Sequence, residues 1–221
     1  REDLFLTVQR ASEKGRLVRQ NRAYQTHLER MVQEKTKELR AVRDAAILTL
    51  AQLAERRDRT AAAHLERISG FCLRLAREIQ GNQEFPEVSA DWIELLGRSS
   101  QLHDIGKVGI PDAVLNKPGP LSPEERLIMR THTTLGGDAL RHVRERLPTD
   151  SFLGMAMEIA YSHHERWDGD GYPVGLAGRS IPLSARIVAL ADAYDALTSR
   201  RPYSGPHEHA KAVERIVHDR G

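Results

Sequence analysis

The chain has 221 residues, of which 40% are hydrophobic, and its 33 Lys and Arg residues nearly balance its 31 Asp and Glu residues, giving a net charge of +2. This amount of apolar material supports a core of one or two domains and excludes an intrinsically disordered chain. No run of 18 apolar residues occurs, and Cys72 is the single cysteine. We therefore expect no membrane-spanning helix, no internal disulfide, a buried Cys72 thiol and a cytoplasmic location.

Residues 1–59 contain one glycine and no proline, which predicts a long helix. Apolar residues recur in it at alternating steps of four and three, the spacing of a coiled-coil seam. The seam consists of Leu28, Val32, Lys35, Leu39, Val42, Ala46, Thr49 and Leu53. We expect residues 1–49 to form a connector helix that pairs in parallel with a second copy. The alternative is a single helix packed on its own domain.

The connector region is also basic, because residues 1–60 carry 14 Lys and Arg against 9 Asp and Glu. An excess spread over so long a segment is typical of a solvated helix, so we do not expect DNA binding.

From residue 61 onward, shorter amphipathic segments alternate with Gly and Pro, and no segment alternates like a strand. The pattern predicts an all-α domain. Ser122, Pro123 and Glu125 have the order of a helix cap, a first helical position and a capping box. A Gly- and Pro-rich segment predicts a flexible polar loop over 166–182. The predicted helices are 61–80, 89–105, the helices within 123–146, 151–164, 183–199 and 206–220.

Histidine and aspartate side chains lie near the ends of these helices, at intervals of about one helical hairpin. One histidine alone is more often an ordinary surface or core residue than a ligand. Two adjacent pairs, His103-Asp104 and His163-His164, change that interpretation. A charged Asp104 within an apolar helix needs a compensating metal or base. Five imidazoles and two carboxylates, one of them bridging, suffice for two octahedral first-row metals, preferably iron or manganese. The candidates are His64, His103, Asp104, His132, His163, His164 and Asp192.

Three segments, in this order, resemble the HD-GYP branch of the HD phosphohydrolase superfamily. They are HDIGKVGIP at 103–111, HHERWDGDGYP at 163–173 and ADAYDALTS at 191–199, accompanied by NKPG at 116–119 and the pair Thr131-His132. The resemblance covers about residues 50–221 and implies an HD-domain helical bundle. Because the last residue, Gly221, is typical of an interior turn, we expect the C-terminus to be truncated. The preceding helix resembles the connector of response regulators, whose receiver domain is absent from these residues.

The resemblance implies a bacterial phosphodiesterase that opens cyclic di-GMP to pGpG, in some members onward to GMP, as the output of two-component signalling. It assigns one metal to His64, His103, Asp104 and Asp192, and the other to His132, His163, His164 and the bridging Asp104. Lys107 and Asp104 are expected to be catalytic. The residues expected to contact the substrate are Lys117, Trp167, Tyr172, Asp195 and Arg201; the 166–182 loop is also expected to contact a GGDEF-domain protein.

Two departures from the family pattern affect these expectations. Thr60 replaces a glutamate that holds a third metal in some members, so we expect two metals. Ser204 replaces a basic residue, which removes one phosphate-binding charge. The alternative functions are a weak or inactive HD-GYP domain that acts by binding nucleotide or protein, and a hydrolase of another nucleotide.

Overall fold

The computed structural model describes residues 2–56, 63–147, 151–199 and 205–219. These residues form helices, 3-10 turns and loops and contain no strand, which confirms the all-α prediction. None of the described helices is long and apolar enough to cross a bilayer. The helices are α1 (Glu2–Arg56), α2 (His64–Ile79), α3 (Ala90–Ser99), α4 (Asp112–Leu115), α5 (Pro123–Arg130), α6 (His132–Arg146), α7 (Ser151–Ser162), α8 (Leu183–Thr198) and α9 (His209–His218).

The contacts divide the chain into two units, Arg1–Ile47 and Leu48–Gly221. The first unit consists of helix α1 up to Ile47, and the predicted seam residue Leu39 is 70% exposed on it. The second unit contains the other helices and the hydrophobic core. Our boundary after residue 49 stays a prediction.

The core of the second unit lies between α2, α3, α7 and α8. On α2 the apolar residues recur three or four positions apart, so one stripe of the helix faces inward. Cys72 belongs to this stripe and is fully buried, as predicted, and burial raises the pKa of its thiol to about 12. The core residues are Ile68, Cys72, Ala76, Val88, Ile93, Leu96, Met155, Ile159, Ile187, Val188 and Ala191.

Local sequence signals locate several helix starts. The predicted capping box is confirmed: the Ser122 hydroxyl accepts from the Glu125 amide at 3.2 Å, while the Glu125 carboxylate accepts from the Ser122 amide at 2.7 Å. At the start of α3, the Ser89 hydroxyl accepts from the Trp92 amide at 3.2 Å. Each cap satisfies an amide that has no partner within its helix.

The prediction of one helix over 89–105 was wrong. Helix α3 ends at Ser99, and two 3-10 turns follow, at Ser100–Leu102 and Ile105–Gly109. The Ser100 hydroxyl donates to the Gly97 carbonyl at 3.0 Å, an alternative to the regular helical bonding. The predicted ligands His103 and Asp104 therefore lie between the two turns. Helix α9 was also predicted too long, and α4 was not predicted.

Candidate metal centre

The structure brings all seven predicted ligands together in two groups. Within each group, one potential ligand atom per residue lies within 4.8 Å of the others. Two of the histidines, His64 and His132, are the first residues of α2 and α6. The first group is Asp104, His132, His163 and His164, and the second is His64, His103 and Asp192.

A close backbone contact sets the distance between the turn that carries Asp104 and the start of α6. A Cβ atom built on Gly106 would lie 1.9 Å from the carbonyl oxygen of His132 and 2.5 Å from the amide nitrogen of Gly136. Only glycine permits this approach, since any side chain would push the turn away from α6. Gly106 therefore helps to hold Asp104 beside His132.

Backbone carbonyls fix the tautomers of three buried imidazoles. The Nδ1 atoms lie 2.9 Å from the Ser100 carbonyl for His103, 2.7 Å from the Met129 carbonyl for His132, and 3.0 Å from the Ile159 carbonyl for His163. A carbonyl only accepts, so each Nδ1 must carry the proton and donate. In the neutral ring, the lone pair then belongs to Nε2, as in histidines that bind metals through Nε2.

The Nε2 atoms converge on the Asp104 carboxylate. Its Oδ1 lies 3.2 Å from Nε2 of His132 and 3.7 Å from Nε2 of His163, and its Oδ2 lies 3.2 Å from Nε2 of His103. The Nε2 atoms of His132 and His163 are 3.4 Å apart. Two lone pairs so close repel each other unless a cation lies beside them.

Although these atoms lie close together, Nε2 of His103 and Oδ1 of Asp104 are buried and make no hydrogen bond of acceptable geometry within the described residues. Buried polar atoms in folded proteins are nearly always paired, so such atoms indicate an additional bound group. Imidazole nitrogens together with carboxylate oxygens are ligands that divalent first-row metals accept. The residues present therefore fit a metal centre.

The charges in the cluster suit the same interpretation. Burial acts to raise the pKa of Asp104, but Lys107 and His103 outweigh it and hold that pKa well below its usual range. Burial, reinforced by His163, lowers the pKa of His164 to about 2. For His103, burial acts downward, yet the neighbouring Asp104 raises the pKa to about 9. A proton and a metal would thus compete for Nε2 of His103.

Asp195, predicted to contact substrate, has a different environment in the structure. The residue is buried, and its Oδ2 lies 2.7 Å from Nδ1 of His64. Arg67 donates to both carboxylate oxygens, at 2.6 and 3.0 Å. With both oxygens engaged by protein groups, Asp195 orients His64 in the manner of carboxylates behind metal-binding histidines. Sequence reasoning missed Arg67, which lies one helical turn after His64.

The 166–182 loop is anchored more tightly than its composition predicts. Glu165 is buried, and its carboxylate accepts hydrogen bonds from the amides of Val174, Gly175 and Leu176 at 2.9 to 3.2 Å. The Tyr172 amide also donates to the carbonyl of His164 at 3.1 Å. Sequence reasoning missed Glu165, although its position directly after the double histidine was a usable signal. The anchor ties the loop to the ligand-bearing segment.

The remaining predicted substrate contacts have separate positions. The Tyr172 ring stacks on His164, with centroids 4.7 Å apart and an interplanar angle of 24°. Trp167 is half exposed, and the Arg186 guanidinium lies 5.8 Å from its ring centroid.

The two predicted lysines both pair with carboxylates. Lys107 Nζ is 2.7 Å from Oδ2 of Asp104, while Lys117 Nζ is 2.5 Å from a Glu125 oxygen. The predictions for Arg201, Ser204 and Thr60 lie outside the described residues.

Comparison with known proteins gives a consistent set of similarities. The profile of the HD domain family matches residues 19–221. A cyclic di-GMP phosphodiesterase of Vibrio cholerae is 47% identical over 188 residues, which are 83% of this chain and 38% of that protein. A 3'3'-cGAMP-specific phosphodiesterase of the same species is 40% identical over 83% of this chain and 33% of that protein.

A third relative is a cyclic di-GMP phosphodiesterase response regulator of Xanthomonas campestris. It is 42% identical over 154 residues, which are 70% of this chain and 38% of that protein. The chain thus spans between 33% and 38% of the length of these three relatives.

Proposed function

Because this chain belongs to the HD domain family, we propose that it is a metal-dependent phosphodiesterase that hydrolyses cyclic di-GMP to pGpG. The observation that carries the proposal is the clustering of seven metal-type ligands, Asp104 included, in two groups, with unpaired buried atoms on His103 and Asp104. The relatives named cyclic di-GMP phosphodiesterases support the choice of substrate. Further hydrolysis of pGpG to GMP is compatible with the same chemistry.

We assign the cofactors as two divalent ions, iron or manganese. The ligand set is nitrogen and oxygen, and Cys72 is buried in the core and belongs to neither ligand group, which disfavours a thiolate zinc site. When bound, the ions supply Lewis acidity, which makes water nucleophilic at neutral pH and neutralises charge on the phosphodiester.

The chain's own residues supply the rest of the mechanism. Asp104 and the five histidines orient the centre, and four of these six residues, His103, Asp104, His132 and His163, are buried. Lys107 places its ammonium group 2.7 Å from Asp104, at the edge of the same cluster. A fixed positive charge there can stabilise the negative charge that develops on the phosphate during attack.

Steady-state kinetics of cyclic di-GMP hydrolysis test this proposal. The wild-type chain, loaded with Mn²⁺ or with Fe²⁺ under anaerobic conditions, is expected to release pGpG. In Lys107→Ala, kcat should fall by roughly 10²–10³-fold with KM little changed, because the lost charge acts mainly in the transition state. The metal content of the variant should equal that of the wild type.

Three results would count against the proposal. Wild-type protein with bound metal and no turnover of cyclic di-GMP would favour an HD-GYP domain that acts by binding. Preferential hydrolysis of 3'3'-cGAMP would show that the substrate is 3'3'-cGAMP, the dinucleotide in the name of another relative. A Lys107→Ala enzyme with unaltered kcat would leave Lys107 without a catalytic role.

For the connector helix we propose a parallel homodimer that transmits a two-component signal in the cytoplasm. The support is the row of seam residues that α1 leaves exposed, among them Leu28, Val32, Leu39 and Val42. A helix that buries none of its apolar stripe gains little stability by itself, whereas pairing buries the stripe. The anchored loop with exposed Trp167 is the surface we propose for a GGDEF-domain partner.

Replacing Leu39 with Glu should shift the protein toward monomer, because a charge at the seam would be buried without a partner. Analytical ultracentrifugation measures the change in mass. The matched control is Ala41→Glu, which adds the same charge two residues away at an exposed position outside the seam. Equal masses for wild type and Leu39→Glu would contradict the seam.

A further inference from the structure

Several cations on the ligand-bearing segments and on the segments adjoining them in the chain are engaged with carboxylates. Lys107 lies 2.7 Å from Asp104, and Arg67 donates to Asp195. The remaining two pairs are Lys117 with Glu125 at 2.5 Å and Arg166 with Asp168 at 2.6 Å. Arg130 differs from them, since no carboxylate of the described residues lies within ion-pair distance of its exposed guanidinium.

Arg130 also lies close to the ligands. It is the last residue of α5, two positions before His132, and its guanidinium carbon lies 4.8 Å from the centroid of the Tyr172 ring. Tyr172 in turn stacks on His164 at 4.7 Å. Arg130 is therefore separated from a candidate metal ligand by a single aromatic ring.

Contact with Tyr172 restricts where the Arg130 guanidinium can lie. A guanidinium held over a ring face gains cation–π energy and keeps its N–H groups available at its edge. Those N–H groups match the geometry of two phosphate oxygens. The free charge and the aromatic support together make an anion-binding element beside the centre.

We propose that Arg130, supported by Tyr172, binds the second phosphate of a cyclic dinucleotide while the first phosphate lies at the metal centre. The inference rests on the proposed function, which supplies a substrate with two phosphodiesters. One phosphate is attacked, and the other is a spectator anion that needs a positive partner beside the centre. Arg130 thereby distinguishes a cyclic dinucleotide from a phosphodiester that carries one charge.

Three ligands separate the possible roles of Arg130. Cyclic di-GMP has two phosphates and two guanines, the dinucleoside monophosphate GpG has one phosphate and two guanines, and bis(p-nitrophenyl) phosphate has one phosphate and no guanine. In Arg130→Ala, KM for cyclic di-GMP should rise by roughly 10- to 100-fold, as for a lost charge-assisted contact. The inhibition constant of GpG and kcat/KM for bis(p-nitrophenyl) phosphate should stay within about twofold, on the view that neither ligand reaches Arg130 with a second phosphate.

The matched control is Arg126→Ala, which removes the same charge from an exposed position one turn earlier on α5. Its KM for cyclic di-GMP should equal that of the wild type. Arg130→Lys keeps the charge but loses the planar fork, so it should recover part of the lost affinity.

The other outcomes overturn the inference. An unchanged KM for cyclic di-GMP would mean that Arg130 does not touch the substrate. Weaker inhibition by GpG would assign Arg130 to a guanine, and a loss with bis(p-nitrophenyl) phosphate would assign it to the centre itself. If the wild type does not turn over cyclic di-GMP, the proposed function fails, and the inhibition constant of cyclic di-GMP against bis(p-nitrophenyl) phosphate hydrolysis still measures the Arg130 contact.

Discussion

Asp104→Ala is expected to lose both metal ions and to lower phosphodiesterase activity by more than about 10³-fold, beyond the effect of one lost transition-state donor. The reason is the central position of its carboxylate, whose two oxygens face three Nε2 atoms at 3.2 to 3.7 Å. Without it, the group of His132, His163 and His164 has no carboxylate to offset the charge of a bound cation, and Asp192 is the one carboxylate left among the seven ligands. Elemental analysis of the purified protein measures the metal content directly.

The control for this variant is His27→Ala, which removes an exposed histidine from α1 and should leave the metal content unchanged. Circular dichroism should show that Asp104→Ala keeps its helices, and Asp104→Asn, which preserves the side-chain volume, separates loss of charge from loss of packing. Full metal occupancy in Asp104→Ala would refute the assignment of Asp104 as the shared ligand.

Gly106→Ala should destabilise the fold and disrupt the centre. The added Cβ would meet the His132 carbonyl at 1.9 Å, and a backbone atom cannot rotate out of the way. We expect a loss of about 3 kcal/mol, at the upper end for overpacking, which corresponds to a fall in Tm of roughly 6–12 °C for a chain of this size. Metal affinity should fall as well, since the turn that carries Asp104 must move away from α6.

Gly70→Ala provides the matched control for this prediction. Gly70 lies in the middle of α2, and a Cβ atom there meets nothing within 4 Å. The substitution should be neutral or stabilise the protein by up to about 1 kcal/mol through helix propensity. Thermal melts of the two variants, with metal content measured in parallel, test the argument; a Gly106→Ala protein with wild-type Tm and metal content would contradict it.

Sequence reasoning succeeded where the information is local or chemical. The capping box of α5 was predictable because Ser122 and Glu125 are three residues apart and bond to each other. The candidate ligands were predictable because a charged Asp104 in an apolar segment needs a compensating partner, and because two adjacent pairs of ligand-type residues occur in one chain. The prediction that the ligands lie close together rested on the family resemblance and on the spacing of about one helical hairpin between them. That spacing suggests clustering but does not fix the distances.

The missed features depend on contacts between distant parts of the chain. Asp195 reaches back 131 positions to His64, so its partner could not be read from neighbouring residues. The early end of α3 accompanies the approach of Gly106 to α6, while the apolar pattern of the sequence continues through residue 105. Arg130 was missed because its significance depends on which other cations are already paired, and only the fold determines that pairing.

The bonds from Nδ1 of His103, His132 and His163 to backbone carbonyls have a thermodynamic consequence for metal capture. Each bond selects one rotamer and one tautomer when the chain folds. The side chains therefore lose their conformational entropy on folding and not on metal binding. The arriving ion meets preorganised ligands, and the raised pKa of His103 opposes binding there because a proton competes for the same nitrogen. The metal-binding free energy then depends mainly on the donor atoms and their charges, because ordering the imidazole rings lowers it little.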